Sequence, residues 1–298
     1  MAQTSALNGS LHPGEQREPS DREAGENRRA SKIVIDELTL DYVNQETGAS
    51  HRAVEHCDLR VAADEFLCVL GPSGCGKSTL LSAIAGFLRP THGTIVMDGR
   101  PITGPGAERG VVFQEYALLP WMTVLDNAAL GLKLRGMPKK ERYAQARRFL
   151  TIANLHGVEH KYPHELSGGM KQRVAVARTL ANAPQVMLMD EPFAAVDAQT
   201  RMVLQEELCR ISLRSRLTVL FITHSVEEAI FLGDRVAVMS PGPGRIRTIV
   251  DVPFARDART WSALNADPAF NAMRDRLLDL VRTPQSQSLE ARACESRY

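Results

Sequence analysis

The sequence predicts an α/β fold: a parallel sheet covered by helices on both faces, with a β-rich subdomain before it and a helical insert within it. Three observations predict it. Short, near-continuous apolar runs (Phe66 to Leu70, Val186 to Met189, Thr218 to Ile222) have the texture of strands buried on both faces, and they alternate with helical spacing. The first run opens into a glycine-rich turn and then a helical stretch, Leu80 to Ala85. From about residue 115 to 183 the texture turns helical before strand signals return.

Taken in order, residues 1–31 are polar, of mixed charge and rich in Glu, Arg, Ser and Gly. They hold too little apolar surface to offset chain entropy, so a disordered extension is expected. The ordered domain is expected over 32–250. Ile33 to Leu40 and Ala53 to Val61 have β character, and the turn-rich stretch Asn44 to Ser50 joins them as a hairpin. After the glycine turn and its helix come two short strands, Gly93 to Met97 and Gly110 to Phe113, with Asp98-Gly99 as a turn signal. Good helix formers then occupy Val124 to Leu130, Lys139 to Ile152 and Met170 to Leu180, and Arg235 to Met239 is a further strand. Residues 251–298 are expected to hold an amphipathic helix, Phe270 to Val281, and a frayed tail.

At 298 residues the chain is long enough for a well-buried core. Its formal charge of +1 gives no global field toward nucleic acid or an acidic membrane. The five cysteines are scattered without metal-ligand spacing, which fits reduced thiols in a reducing cytosol. No apolar run reaches the roughly 18 residues that span a bilayer, and the start lacks a signal-peptide pattern. A membrane role therefore has to come through a partner.

The glycine-rich turn reads Gly71-Pro72-Ser73-Gly74-Cys75-Gly76-Lys77-Ser78-Thr79. Strand, glycine turn ending in Gly-Lys-Ser, and helix are together the context of a phosphate-binding P-loop. The glycines let successive N–H groups face one anion, and the helix N-terminus adds partial positive charge. Lys77 can reach the β- and γ-phosphates, and the Ser78 hydroxyl can ligate Mg²⁺. A tight turn with a surface lysine would explain the glycines alone, but not the flanking strand and helix. The chain is expected to bind a nucleoside triphosphate.

Two further stretches carry chemistry. Val186 to Met189 ends in Asp190-Glu191: downstream of a P-loop, such an aspartate holds Mg²⁺, and the carboxylate beside it can polarise a water for attack on the γ-phosphate. Leu166-Ser167-Gly168-Gly169-Met170-Lys171-Gln172-Arg173 is a second glycine-containing helix start, with Ser167 as N-cap and backbone N–H groups open to an anion. One nucleotide does not need two phosphate cradles from the same chain. The economical reading is that two chains share two sites.

These stretches, in this order, resemble the nucleotide-binding subunit of an ATP-binding cassette (ABC) transporter over about residues 33–250. The resemblance implies a P-loop NTPase core of the ABC type, working with ATP and Mg²⁺. It implies that Ser167, Gly168 and Gly169 bind the γ-phosphate held by a second copy, and that Asp197 lies at the seam of that head-to-tail dimer. Gln114 matches the glutamine that senses Mg²⁺ and the attacking water, His224 the switch histidine, and Tyr42 the aromatic that stacks on adenine. Two departures are visible: Val196 stands where the seam loop usually has Leu, and Ser225 follows His224 where an aspartate is common. Neither removes a group needed for hydrolysis.

A narrower resemblance lies in Gly104 to Gln114 with Leu118-Leu119-Pro120-Trp121, in Ser240-Pro241-Gly242-Pro243-Gly244-Arg245-Ile246, and in Asp267-Pro268-Ala269-Phe270. Together these are similar to ATPase subunits of taurine, nitrate and aliphatic-sulfonate importers, and are expected to lie outside the ATP site. The function implied is an ATPase peripheral to the cytoplasmic face of the inner membrane, driving uptake of a small anion through a separate permease, with a solute-binding protein as an indirect partner and no nucleic acid. Trp121 is open to two readings, a groove for a cytoplasmic helix of the permease or an anchor inside the insert. Rival functions are a soluble ABC ATPase of translation or DNA repair, a cassette that only binds nucleotide, and an exporter subunit. The chain shows no second cassette, coiled-coil insert or membrane span, and it keeps Glu191 and His224.

Overall fold

The computed structural model describes residues 31–43, 50–194 and 196–282. In chain order the elements are β1 (Ser31–Val43), β2 (Ser50–Ala62), β3 (Phe66–Leu70), α1 (Lys77–Ala85), β4 (His92–Met97), β5 (Arg100–Pro101) and β6 (Arg109–Val112). The helical insert follows with α2 (Val124–Ala128), α3 (Leu130–Leu134), α4 (Lys139–Ile152) and α5 (Gly168–Ala181). The chain then returns to the sheet through β7 (Val186–Asp190), α6 (Ala198–Arg214), β8 (Thr218–Thr223), α7 (Val226–Leu232), β9 (Arg235–Met239) and β10 (Ile246–Asp251). It closes with α8 (Trp261–Asn265) and α9 (Pro268–Arg282).

Two sheets result. The antiparallel one has the order β2-β1-β4-β5, and the other has the order β10-β9-β3-β8-β7-β6. All pairs of the second are parallel except β10 with β9. Its central strands are apolar on both sides. Phe66, Cys68 and Leu70 of β3 face one core while Leu67 and Val69 face another, and β7 and β8 repeat the split. This is why their sequences read as continuous apolar runs; each fully buried large side chain contributes about 1.5–3 kcal/mol. The second core lies between the sheets and takes in α1. A third sits inside the insert, with Val124, Leu125, Ala146, Leu150 and Val174.

The expected helix Val124 to Leu130 is two short helices meeting at Ala129. Helix α6 was not among the expected elements. Two of its four buried residues, Gln205 and Ser212, are polar, so its buried stripe has a weak apolar signal. Helix α9 covers the expected closing helix, and its Phe270, Met273 and Leu277 join the first core. Two arginines fasten this segment. Arg259 donates to the carbonyls of Ile230, Phe231 and Gly233, and Arg256 pairs with Asp234 at 2.9 Å. The expected N-terminal extension (except Ser31, which opens β1), the hairpin turn before Ser50 and the expected tail lie outside the described residues.

Candidate active site

The phosphate loop joins β3 to α1. Gly74 and Gly76 have φ of 77° and 92°, which L side chains rarely adopt, and a Cβ on Gly76 would fall 2.5 Å from the Ala53 carbonyl oxygen. Gly76 caps α1 with no side-chain hydrogen bond, so the helix's first amides stay available to an anion. Lys77 is buried, and its ammonium donates to the carbonyls of Gly71 (2.9 Å) and Pro72 (2.8 Å). Cys75 Sγ lies 3.8 Å from the same ammonium, and burial pushes its thiol pKa up.

Asp190 ends β7, and the Ser78 hydroxyl lies close enough to its carboxylate to favour the charged form. Burial raises its pKa above the ordinary aspartate value, with a smaller push from Glu191; Ser78 and Lys77 pull the other way. Ser78 and Asp190 offer hard oxygen donors with one carboxylate between them. That donor set fits Mg²⁺, which takes one or two carboxylates and completes its shell with substrate phosphate and water. Gln114 lies just beyond β6, on the cavity described below.

Glu191 has a φ of 42° and is hydrogen-bonded through its N–H to the Ile222 carbonyl at 3.1 Å. A non-glycine residue held there stores backbone strain, a pattern concentrated at functional sites. Its Oε2 is 3.0 Å from His224 Nδ1. The turn carrying His224 is fixed by groups that the sequence did not reveal. The Thr223 hydroxyl donates to Glu228 Oε2 (2.5 Å), Gln205 Nε2 donates to Glu228 Oε1 (2.7 Å), and Ser225 caps α7 by accepting from the Glu228 N–H. Glu228 is buried, and desolvation raises its pKa.

Tyr42, Ser73, Gly74, Gly76, Lys77, Ser78, Thr79, Gln114 and Glu191 line one cavity of about 380 Å³. His51, which the sequence reading missed, lines it too, because it is the cross-strand partner of Tyr42 in the β1–β2 ladder. Gly71, Pro72 and Cys75 complete the loop behind these residues. Ser167, Gly168, Gly169 and Asp197 do not line this cavity. Ser167 caps α5 by accepting from the Met170 N–H at 3.3 Å. A Cβ on Gly169 would meet only Val196 among the described residues, at 3.6 Å, so no contact among them demands glycine there. Asp197 caps α6 through the Thr200 N–H (2.9 Å), and hydrogen bonds from Thr200 hold its carboxyl below the ordinary value.

A second, larger cavity of about 870 Å³ borders Gln114 and runs along Tyr116, Leu118, Pro120, His164 and Lys171. Beside it Trp121 is 70% exposed, which rules out the reading of this side chain as an anchor inside the insert. The loop is nevertheless rigidly held. Buried Asn127 accepts from the Leu119 N–H and donates to the carbonyls of Leu119, Met122 and Thr123.

Residues 54–194 match the model of the family described as ABC transporter. The chain is 47% identical over 254 residues to the taurine import ATP-binding protein of Chromobacterium violaceum, covering 84% of this chain and 97% of that one. It is 46% identical to the nitrate import ATP-binding protein of a Synechocystis strain, covering 80% of this chain and 91% of the relative. The chain belongs to the ABC transporter family of ATP-binding subunits. A solved dimeric structure of the ATP-binding cassette MJ0796, in a post-hydrolysis state with ADP and phosphate, superposes with a TM-score of 0.68. It is 29% identical and covers 75% of this chain and all of the other. The ABC subunit is therefore an ATPase with a P-loop NTPase fold. Among its described residues no helix is long and apolar enough to cross a membrane.

Proposed function

We propose that this ABC ATPase powers uptake of a small anion, of the taurine, sulfonate or nitrate type, through a separate permease at the cytoplasmic face of the inner membrane. The observation that carries the proposal is the separation of two phosphate-binding helix starts. The P-loop and Glu191 line one cavity, while Ser167 to Gly169 do not line it, and no contact among the described residues demands glycine at Gly169. Two copies set head to tail complete each other's sites. The relatives named for taurine and nitrate import support the anion class.

In this reading Tyr42 takes the adenine and the amides from Gly74 to Thr79 take the phosphates. Lys77 exchanges the carbonyls of Gly71 and Pro72 for β- and γ-phosphate oxygens, so a buried ammonium is never left without partners. Ser78, Asp190 and Gln114 would hold Mg²⁺, which neutralises charge on the phosphates when bound. Glu191 polarises the attacking water, with His224 and Gln114 orienting it, and Ser167 to Gly169 of the second copy close on the γ-phosphate. Asp197 stands at the seam. The cavity beside Gln114, with exposed Trp121 and the Asn127-braced loop, receives a cytoplasmic helix of the permease, so its movement and that of Gln114 are linked.

The test is co-expression with a permease and a solute-binding protein of the same organism, chosen by their similarity to taurine and nitrate importers. The transporter should retain this chain in two copies, and solute in the external medium should raise its ATP turnover. Turnover that ignores the permease would contradict the proposal.

A further inference from the structure

The turn between β9 and β10, expected to lie outside the ATP site, touches the phosphate loop. A Cβ on Gly244 would sit 2.0 Å from the Cys75 carbonyl oxygen. The Gly244 N–H donates to the Ala53 carbonyl (2.9 Å), and the Gly244 carbonyl accepts from the Glu55 N–H (3.0 Å). That Ala53 carbonyl is the one a Cβ on Gly76 would strike. Three main-chain segments thus interlock, with Met239 Cε packed 2.6 Å from the same Gly244 Cβ position.

From the same turn a ladder of charges runs to Asp41, the neighbour of the cavity-lining Tyr42. Arg245 pairs with Glu55 at 2.5 Å, Glu55 with Arg52 at 2.8 Å, and Arg52 with Asp41 at 2.9 Å. Asp41 precedes Tyr42 on β1. Arg245, and then Arg52, holds the Glu55 carboxyl down at about 2, so Glu55 is charged near neutral pH.

We infer that Gly244 and Arg245 form a positioning clamp for nucleotide: Gly244 fixes the shape of the phosphate loop, and the Arg245–Glu55–Arg52–Asp41 ladder fixes the strand that presents Tyr42 to the base. The inference rests on the reading of residues 71–79 and Tyr42 as the nucleotide site. None of the clamp residues lines the cavity, so they act through the residues that do. Gly244 does not have a positive φ, so glycine is needed there for space and not for backbone freedom. Gly242, in the same turn, is a built-in control. It too lacks a positive φ, and a Cβ there would meet only the Gly74 carbonyl oxygen, at an ordinary 3.7 Å.

The test measures binding of ATP and of tripolyphosphate, each with Mg²⁺, to the full chain by calorimetry. Gly244→Ala should weaken both ligands about tenfold or more, because backbone has to move to admit the methyl group, while Gly242→Ala stays within about twofold of the parent. Glu55→Gln should weaken ATP by about threefold or more and leave tripolyphosphate unchanged, since only ATP carries a base. Lys77→Ala should lose both. If Gly244→Ala binds like Gly242→Ala while Lys77→Ala fails, the clamp is overturned and the site stands. If Lys77→Ala binds normally, the site reading itself falls and the clamp with it. Where Gly244→Ala does not fold, Arg245→Ala carries the test, since it removes only a partly exposed side chain. Selective loss of ATP over tripolyphosphate supports the clamp, and unchanged ATP binding overturns it.

Discussion

Glu191 reaches its place through a strained backbone, and its carboxylate meets His224. If it is the group that acts on water, Glu191→Gln should keep ATP binding and lower turnover by about 10²–10⁴, the usual worth of a positioned acid–base group. Single-turnover hydrolysis beside nucleotide binding checks it, and near-parental turnover would contradict the role. Glu228 gives a second prediction, with a sign fixed by its environment. Its folded pKa is raised by burial above the ordinary 4.5, so its protonated form favours the fold. That contribution is fully present below 4.5 and is lost as pH rises through the raised value. Glu228→Gln cannot titrate, so urea unfolding should find its stability relative to the parent better at pH 8 than at pH 5. Glu228→Ala should cost about 1–3 kcal/mol for the partners it leaves unpaired. At this scale the phosphate loop stood out in the sequence because its strand, turn and helix are contiguous, and Asp190 and Glu191 because they end an apolar strand. His51 and Gln205 were not, because each depends on a partner from another element, Tyr42 across a ladder and Glu228 across 23 residues.

Among the elements, the loop before α2 holds an exposed tryptophan on a buried asparagine. Trp121→Ala should change the stability of the isolated subunit by no more than about 0.5 kcal/mol, as exposed positions usually do. Asn127→Ala, which strips four hydrogen bonds from part-buried backbone, should cost about 2–4 kcal/mol. Thermal unfolding compares the two, and a disulfide from Met122→Cys to a cytoplasmic helix of the permease would fix what the loop meets. The strands of the central sheet were readable because burial on both faces leaves only apolar residues in β3 and between Thr218 and Thr223 in β8. Helix α6 escaped because its buried stripe is half polar, although Asp197 before Thr200 is a capping signal. The turn at 240–245 was read as separate from the site. Its Gly244 contacts Cys75 and Ala53, which lie in elements more than 160 residues earlier, and no local pattern records that.

For the whole molecule, the claim on which the mechanism turns is that one chain supplies the phosphate loop and another supplies Ser167 to Gly169. The direct measurement is nucleotide occlusion by a mixed dimer of one chain bearing Lys77→Ala and one bearing Ser167→Arg, selected by two tags. In a head-to-tail dimer both lesions fall in one site, and the other pairs an intact Lys77 with an intact Ser167. Each homodimer should occlude almost no ATP, and the heterodimer should occlude one nucleotide per dimer. A heterodimer that occludes no more than the two homodimers would contradict the shared site.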